Sequence, residues 1–162
     1  MTGKVEHMIM KKFNVYIDAD ACPVLIKDVI HNCSKEFHFE PIFVTSFAHA
    51  SHSDQPGKWI LVDARPEEVD MYIHNHSKKN DIVVTQDHAL ASLLLPKGVY
   101  VVTPRGKHFQ EDEMERVLHE RYLSAKARRS GVHSKGPAKF TKEDAERFST
   151  VFCEILSNVE GK

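Results

Sequence analysis

The stretch Phe13-Asn14-Val15-Tyr16-Ile17-Asp18-Ala19-Asp20-Ala21-Cys22-Pro23 decides how this chain is read. Its first half is an apolar run with the β-branched and aromatic content of a buried strand. Its second half sets two carboxylates, Asp18 and Asp20, at the strand's end, and Pro23 suits the first turn of a following helix. A strand that runs out into acids and then a helix puts those acids at the carboxyl edge of an α/β sheet, where ligands bind. Two carboxylates this close repel each other unless one is protonated or a cation lies between them.

Outward from that stretch the pattern repeats. Pro41–Thr45, Trp59–Asp63, Asp81–Thr85 and Gly98–Thr103 read as four further strands. Between them, Ile26, Val29, Ile30, Cys33 and Phe37 recur at helical spacing. Pro66-Glu67-Glu68 has the proline and acids of a helix start, with Val69, Tyr72 and Ile73 inward, and a short helix is expected over residues 88–95. After Pro104 only helices are expected. One runs from about Glu111 to Arg128 with Met114, Val117, Leu118 and Ala125 inward, the other from about Lys142 to Ser157 with Phe148, Val151, Phe152, Ile155 and Leu156 inward.

Near-continuous apolar strands alternating with helices predict an α/β fold with a central, mainly parallel sheet flanked by helices. The core is expected over residues 13–104. A flexible N-terminal extension over 1–12 precedes it, and a C-terminal helical part over 105–162 packs on the same domain.

At 162 residues the chain has room for one such domain, with an ordinary soluble balance of 28% charged and 41% hydrophobic residues. A net charge of −1 gives no global drive toward nucleic acid or anionic membrane, so any such affinity must be local. The three cysteines form no CxxC pair, which suits a reducing compartment. No apolar run reaches membrane-spanning length and the first residues lack a signal-peptide core, so a cytoplasmic protein without membrane contact is expected. The eleven histidines suggest no shared metal site: His74 and His76 face differently on a helix, and His49 and His52 fall in a polar loop.

Three strands end at or just before acids: Asp18 with Asp20, Asp63, and Asp87; Asp70 follows about a turn into the next helix. In a parallel sheet all carboxyl ends share one edge, so acids distant in sequence can converge. Hard oxygen ligands select Mg²⁺ or Mn²⁺ over zinc, and such ions assist phosphodiester cleavage. The plainer alternative is that acids at strand-to-helix junctions cap helices. Taken singly, Asp87 fits either role and Asp63 fits a structural one. Asp18 with Asp20 fits capping less well, because one cap does not need two acids.

Thr85, two residues before Asp87, can orient a water or phosphate or satisfy the strand end. Arg105 in Pro104-Arg105-Gly106 can clamp a phosphate oxygen or sit in a surface turn. From Arg105 to Lys139 there are nine Lys or Arg against five Asp or Glu. The excess around Arg128, Arg129 and Lys135 suits a nucleic-acid backbone, or equally a solvated helix end. Cys22 has no base placed to activate it and reads as a small buried residue.

Asp18-Ala19-Asp20-Ala21-Cys22-Pro23-Val24 together with Asp81-Ile82-Val83-Val84-Thr85-Gln86-Asp87 closely resembles the YaiI/YqxD family of uncharacterised bacterial proteins. Val62-Asp63 with Asp70, Pro104-Arg105-Gly106, Arg121-Tyr122-Leu123-Ser124-Ala125, and Gly136-Pro137 with Phe140 extend the match across residues 13–157. That family is similar to the PIN-like nucleases, which use clustered acids and Mg²⁺ or Mn²⁺ to cut RNA or DNA. The resemblance implies a three-layer PIN-like fold, with Asp18, Asp70 and Asp87 as core acids, Asp20 in support and Thr85 in the Thr/Ser-x-Asp position. Arg65 and Glu67 stand where Gly and Asp are expected, and His88-Ala89 where Ile-Pro is frequent.

Three functions follow as expectations. The first is a metal-dependent nuclease, RNA favoured, with Asp18, Asp20, Asp70 and Asp87 as catalytic and metal residues and Thr85, Arg105, Arg128, Arg129 and Lys135 on the substrate. The second is a non-catalytic RNA-binding or adaptor module on the same fold. The third is a haloacid-dehalogenase-type phosphatase, against which Cys22 occupies the place of Thr or Val and no later Lys with paired Asp is clear.

Overall fold

The computed structural model describes residues 13–52, 55–110, 119–127 and 139–161. Five strands form one sheet: β1 (Val15–Asp18), β2 (Pro41–Ser46), β3 (Lys58–Val62), β4 (Ile82–Val84) and β5 (Tyr100–Val102). They stand in the order β3-β2-β1-β4-β5, and every neighbouring pair is parallel. The helices among the described residues are α1 (Val24–Phe37), α2 (Glu68–His76), α3 (His88–Leu94), α4 over residues 119–127 and α5 (Lys142–Glu160).

Alternation along the strands divides the core in two. Val15, Ile17, Phe43, Ile82, Val84 and Val102 face α1 and α5, meeting Ile26, Ile30, Phe148, Phe152 and Ile155. Tyr16, Val44, Val83 and Val101 face the other way, onto Ile73 of α2 and Leu90, Ala91 and Leu94 of α3. This is a three-layer α/β fold with helices on both faces of a parallel sheet. Strands buried on both sides are apolar at nearly every position, which is why they read as continuous runs.

The chain differs from its sequence reading mainly at element ends. β4 is three residues long because the Asp81 carboxylate closes the preceding turn, accepting from the Lys78 and Asn14 N–H groups, both at 2.8 Å. α5 runs on to Glu160 because Val159, at 2% exposure, still belongs to the core. The expected extension over 1–12, most of the helix expected over 111–128, and Arg128, Arg129 and Lys135 lie outside the described residues. Among the described residues no helix is long and apolar enough to cross a membrane.

The order β3-β2-β1-β4-β5 has a topological consequence. The chain leaves β1 toward β2 and β3 on one side, then returns to build β4 and β5 on the other. The loops after β1 and β4 therefore diverge, opening a crevice at the carboxyl ends of those two strands. Asp18 ends β1, and Asp87 follows β4.

Candidate functional site

Thr85 ties the two sides of the crevice together. Its hydroxyl donates to Asp18 Oδ2 at 3.1 Å and accepts the Asp87 N–H at 3.1 Å. The side chain is 1% exposed and its only proton is committed to Asp18. Thr85 therefore positions the acids and does not meet solvent. Asp87 is in turn the N-cap of α3, with Oδ1 accepting the Leu90 N–H at 3.0 Å. Capping and membership of the acid cluster are thus one arrangement, because the cap uses one oxygen.

Asp70, on the first turn of α2, lines the same cleft as Asp87, and each carboxyl group acts on the other's ionisation. Two carboxyl groups set close together do not both ionise freely, and the proton stays on the one less favoured as an anion. Burial, the neighbouring Asp87, and the charges of Asp18 and Glu67 push the Asp70 carboxyl up to about 7. On Asp87, burial acts upward but is outweighed by the Leu90 N–H, the Asp70 proton, the Ala89 N–H and Arg121, which hold it below the usual carboxylate range. Asp18 is pushed up to about 6 by burial and by the charges of Asp20 and Asp87, against the pull of the Thr85 hydroxyl. Glu67 adds to the crowding from a left-handed backbone (φ +69°), an uncommon conformation for a residue with a side chain.

The acids border a cleft of about 380 Å³ lined by Asp18, Asp20, Ser46, His49, Asp70 and Asp87 among others. Asp20 lies at its edge and turns toward β2. Its carboxylate accepts from the Thr45 hydroxyl at 2.5 Å and the Ser46 N–H at 3.3 Å, with His49 Nδ1 3.6 Å away. Asp63 stays outside, exposed and paired with Arg65 at 3.0 Å. Arg105 is drawn to the start of α5, where its guanidinium meets Asp144 Oδ2 at 2.8 Å and lies over the Phe140 ring. Cys22 is 8% exposed with its thiol pushed up to about 12 by burial, which leaves it inert at neutral pH.

Sequence reading missed two parts of this site. Thr45, Ser46 and His49 gather on Asp20, and nothing in their spacing signals it, since β2 meets the β1 exit only through sheet pairing. Arg121 of α4 acts on both Asp87 and His88. Its motif was visible, but its place beside the acids was not.

Across its length the chain matches the model of the family described as Uncharacterized BCR, YaiI/YqxD, over residues 16–158. The chain belongs to the YaiI/YqxD family. A UPF0178 protein of Bacillus cytotoxicus is 50% identical over 147 residues, covering 91% of this chain and 95% of the relative. A UPF0178 protein of Bacillus velezensis is 45% identical over 152 residues (93% and 89%), and one of Listeria monocytogenes 44% identical over 144 (89% and 95%). No solved structure matches the chain. The description of the YaiI/YqxD family carries no activity.

The donor set is all oxygen, and Asp18, Asp70 and Asp87 crowd one another's charge. That suits a hard divalent cation. Among the described residues no three acid, histidine or cysteine side chains already stand together as a closed metal site. Asp70 and Asp87 instead bear on each other's ionisation across the cleft they share with Asp18.

Proposed function

We propose that this YaiI/YqxD protein is a divalent-metal-dependent phosphodiesterase that acts on RNA, with a PIN-like arrangement of acids. The observation that carries the reading is the convergence of Asp18, Asp70 and Asp87 at the topological switch point, where each raises the cost of ionising another. Asp18, Asp70 and Asp87 would hold Mg²⁺ or Mn²⁺, with Asp20 in support through the turn it anchors. A bound cation supplies charge neutralisation at the phosphodiester and lowers the pKa of an attacking water.

The chain's own residues prepare that cleft. Thr85 fixes Asp18 through its hydroxyl and Asp87 through its backbone. The Leu90 N–H fixes the second contact of Asp87. Binding of a cation requires Asp70 to release its proton, so affinity rises with pH up to neutrality. Arg121 brings positive charge beside Asp87, where a substrate phosphate would otherwise meet only acids. The basic residues Arg128, Arg129 and Lys135 would bind the strand's phosphates.

Purified protein with Mn²⁺ is expected to cut single-stranded RNA, with the product absent in EDTA and reduced at least about a hundredfold by Asp18→Asn. RNA binding that is equally strong with Asp18→Asn, without cleavage by either protein, would instead establish a non-catalytic binding module.

A further inference from the structure

Cys33 and Cys153 meet where α1 packs on α5. Their Sγ atoms stand 3.8 Å apart, close enough for a weak S–H···S hydrogen bond, although 120 residues separate them in the chain. Both are free thiols. Their surroundings differ. Cys33 is 5% exposed and belongs to the core with Ile26, Ile30 and Ile155. Cys153 packs against that core from its rim, and it borders a groove of about 490 Å³ that Glu154, Ser157 and Asn158 also line.

A pair of thiols has a chemistry that a single buried one lacks. A thiolate that attacks a disulfide is held as a mixed disulfide until a second thiol displaces the outer sulfur. The two cysteines divide along those lines. Burial, Cys153 beside it and the charge of Glu36 push the Cys33 thiol up to about 12, so Cys33 does not start an exchange. Cys153 lines the groove, where a small molecule can reach it. A disulfide needs about 2.05 Å between its sulfurs, and small rotations of both side chains close the remaining gap. Cys22 is placed otherwise, with its Sγ donating to the Pro23 carbonyl at 3.7 Å.

We propose that Cys33 and Cys153 are a thiol–disulfide couple that exchanges with small-molecule disulfides and, when oxidised, fastens α1 to α5. The Cys153 thiolate attacks one sulfur of the small disulfide, forming the mixed disulfide and releasing one small thiolate. Cys33 then attacks Cys153 Sγ, its proton passes to the departing sulfur, and the second small thiol leaves. The two protein thiols are oxidised, and one small disulfide is reduced to two thiols. Because Cys153 is partly exposed, an excess of small thiol reopens the bridge. The groove shares no lining residue with the acid cleft, and the couple does not depend on the phosphodiesterase reading.

The test treats the reduced full chain with oxidised glutathione under native conditions, quenches with acid, and reads intact mass and a peptide map. The expected product is a monomer lighter by a hydrogen pair, with Cys33 joined to Cys153 and Cys22 still a thiol. It should melt at least about 5 °C above the reduced chain, because the bridge closes a long loop, and should revert with dithiothreitol. Cys33→Ser and Cys33→Ala should each stop at one glutathione on Cys153, and Cys153→Ser should take none. Where the core substitutions at Cys33 do not fold, the wild-type map and Cys153→Ser decide. A wild type that stays reduced, keeps glutathione on Cys153, bridges between chains or reacts at Cys22 overturns the proposal. So does a bridge that forms only in urea or leaves the melting temperature no higher.

Discussion

Two acid-bearing regions of this molecule differ in what faces the carboxylates. At the start of α5, Asp144 is met on every side by donors: the Thr141 N–H at 2.9 Å, Arg105 at 2.8 Å and Arg147 at 3.0 Å. Its own N–H is capped by the Thr141 hydroxyl, completing a capping box. The Thr141 N–H, then Arg147, the Thr141 hydroxyl and Arg105, hold its carboxyl below the usual range. At the crevice beyond β1 and β4, Asp18 and Asp70 face other acids and are pushed upward instead. An acid neutralised by its own chain fastens the fold. Acids that face acids gain no such fastening, and their crowding at the cleft is what supports the proposal that they take a cation.

The largest expected effect breaks the first region. Gly106, in the turn that presents Arg105, has φ +88°, and a Cβ there would lie 2.8 Å from the backbone of Arg147 and Phe148. Left-handed strain and a backbone clash together make Gly106→Ala cost about 3 kcal/mol, read as a lower urea midpoint at unchanged slope. A midpoint equal to wild type would show that α5 does not depend on this close approach.

The second region should respond with the opposite sign. Asp70→Asn removes one of the crowded charges, so at pH 8 in EDTA the variant is expected to melt roughly 2–4 °C above wild type. A lower melting temperature would mean that Asp70 has an uncredited favourable partner.

The smallest effect is the pH dependence of that difference. Asp18 and Asp70 bind their protons more tightly folded (about 6 and about 7) than at their ordinary value of 3.8. At these two sites the folded state retains protons that the unfolded chain gives up, so their contribution to stability falls as pH rises from about 4 to about 7, against the opposite contribution of His31 and His88, whose values burial lowers. Asp70→Asn should flatten the part of this slope nearest neutrality, leaving the part from Asp18. Thermal melts of both proteins at half-unit steps from pH 4.5 to 8 measure it. Parallel curves would contradict the raised Asp70.

How much of this was legible in the sequence follows from the physics of each element. β1, β2 and β4 could be read because strands buried on both faces are apolar over most of their length: Val15, Phe43 and Val83 are fully buried. Asp18, Asp70 and Asp87 could be read because a parallel sheet gathers its carboxyl ends at one edge. The partners of Asp20 could not, since Thr45 and Ser46 reach it only through the pairing of β1 with β2. The partner of Arg105 could not be read for a similar reason. Pro104-Arg105-Gly106 allows a phosphate clamp or a surface turn, and Asp144, which holds the arginine, lies 39 residues away.

The most direct test of the account is a crystal of the wild-type protein soaked in Mn²⁺ at pH 7.5 and measured for anomalous scattering. The expected result is a peak bounded by Asp18, Asp70 and Asp87, lost in Asp18→Asn. A cleft without a peak in the wild type would contradict it.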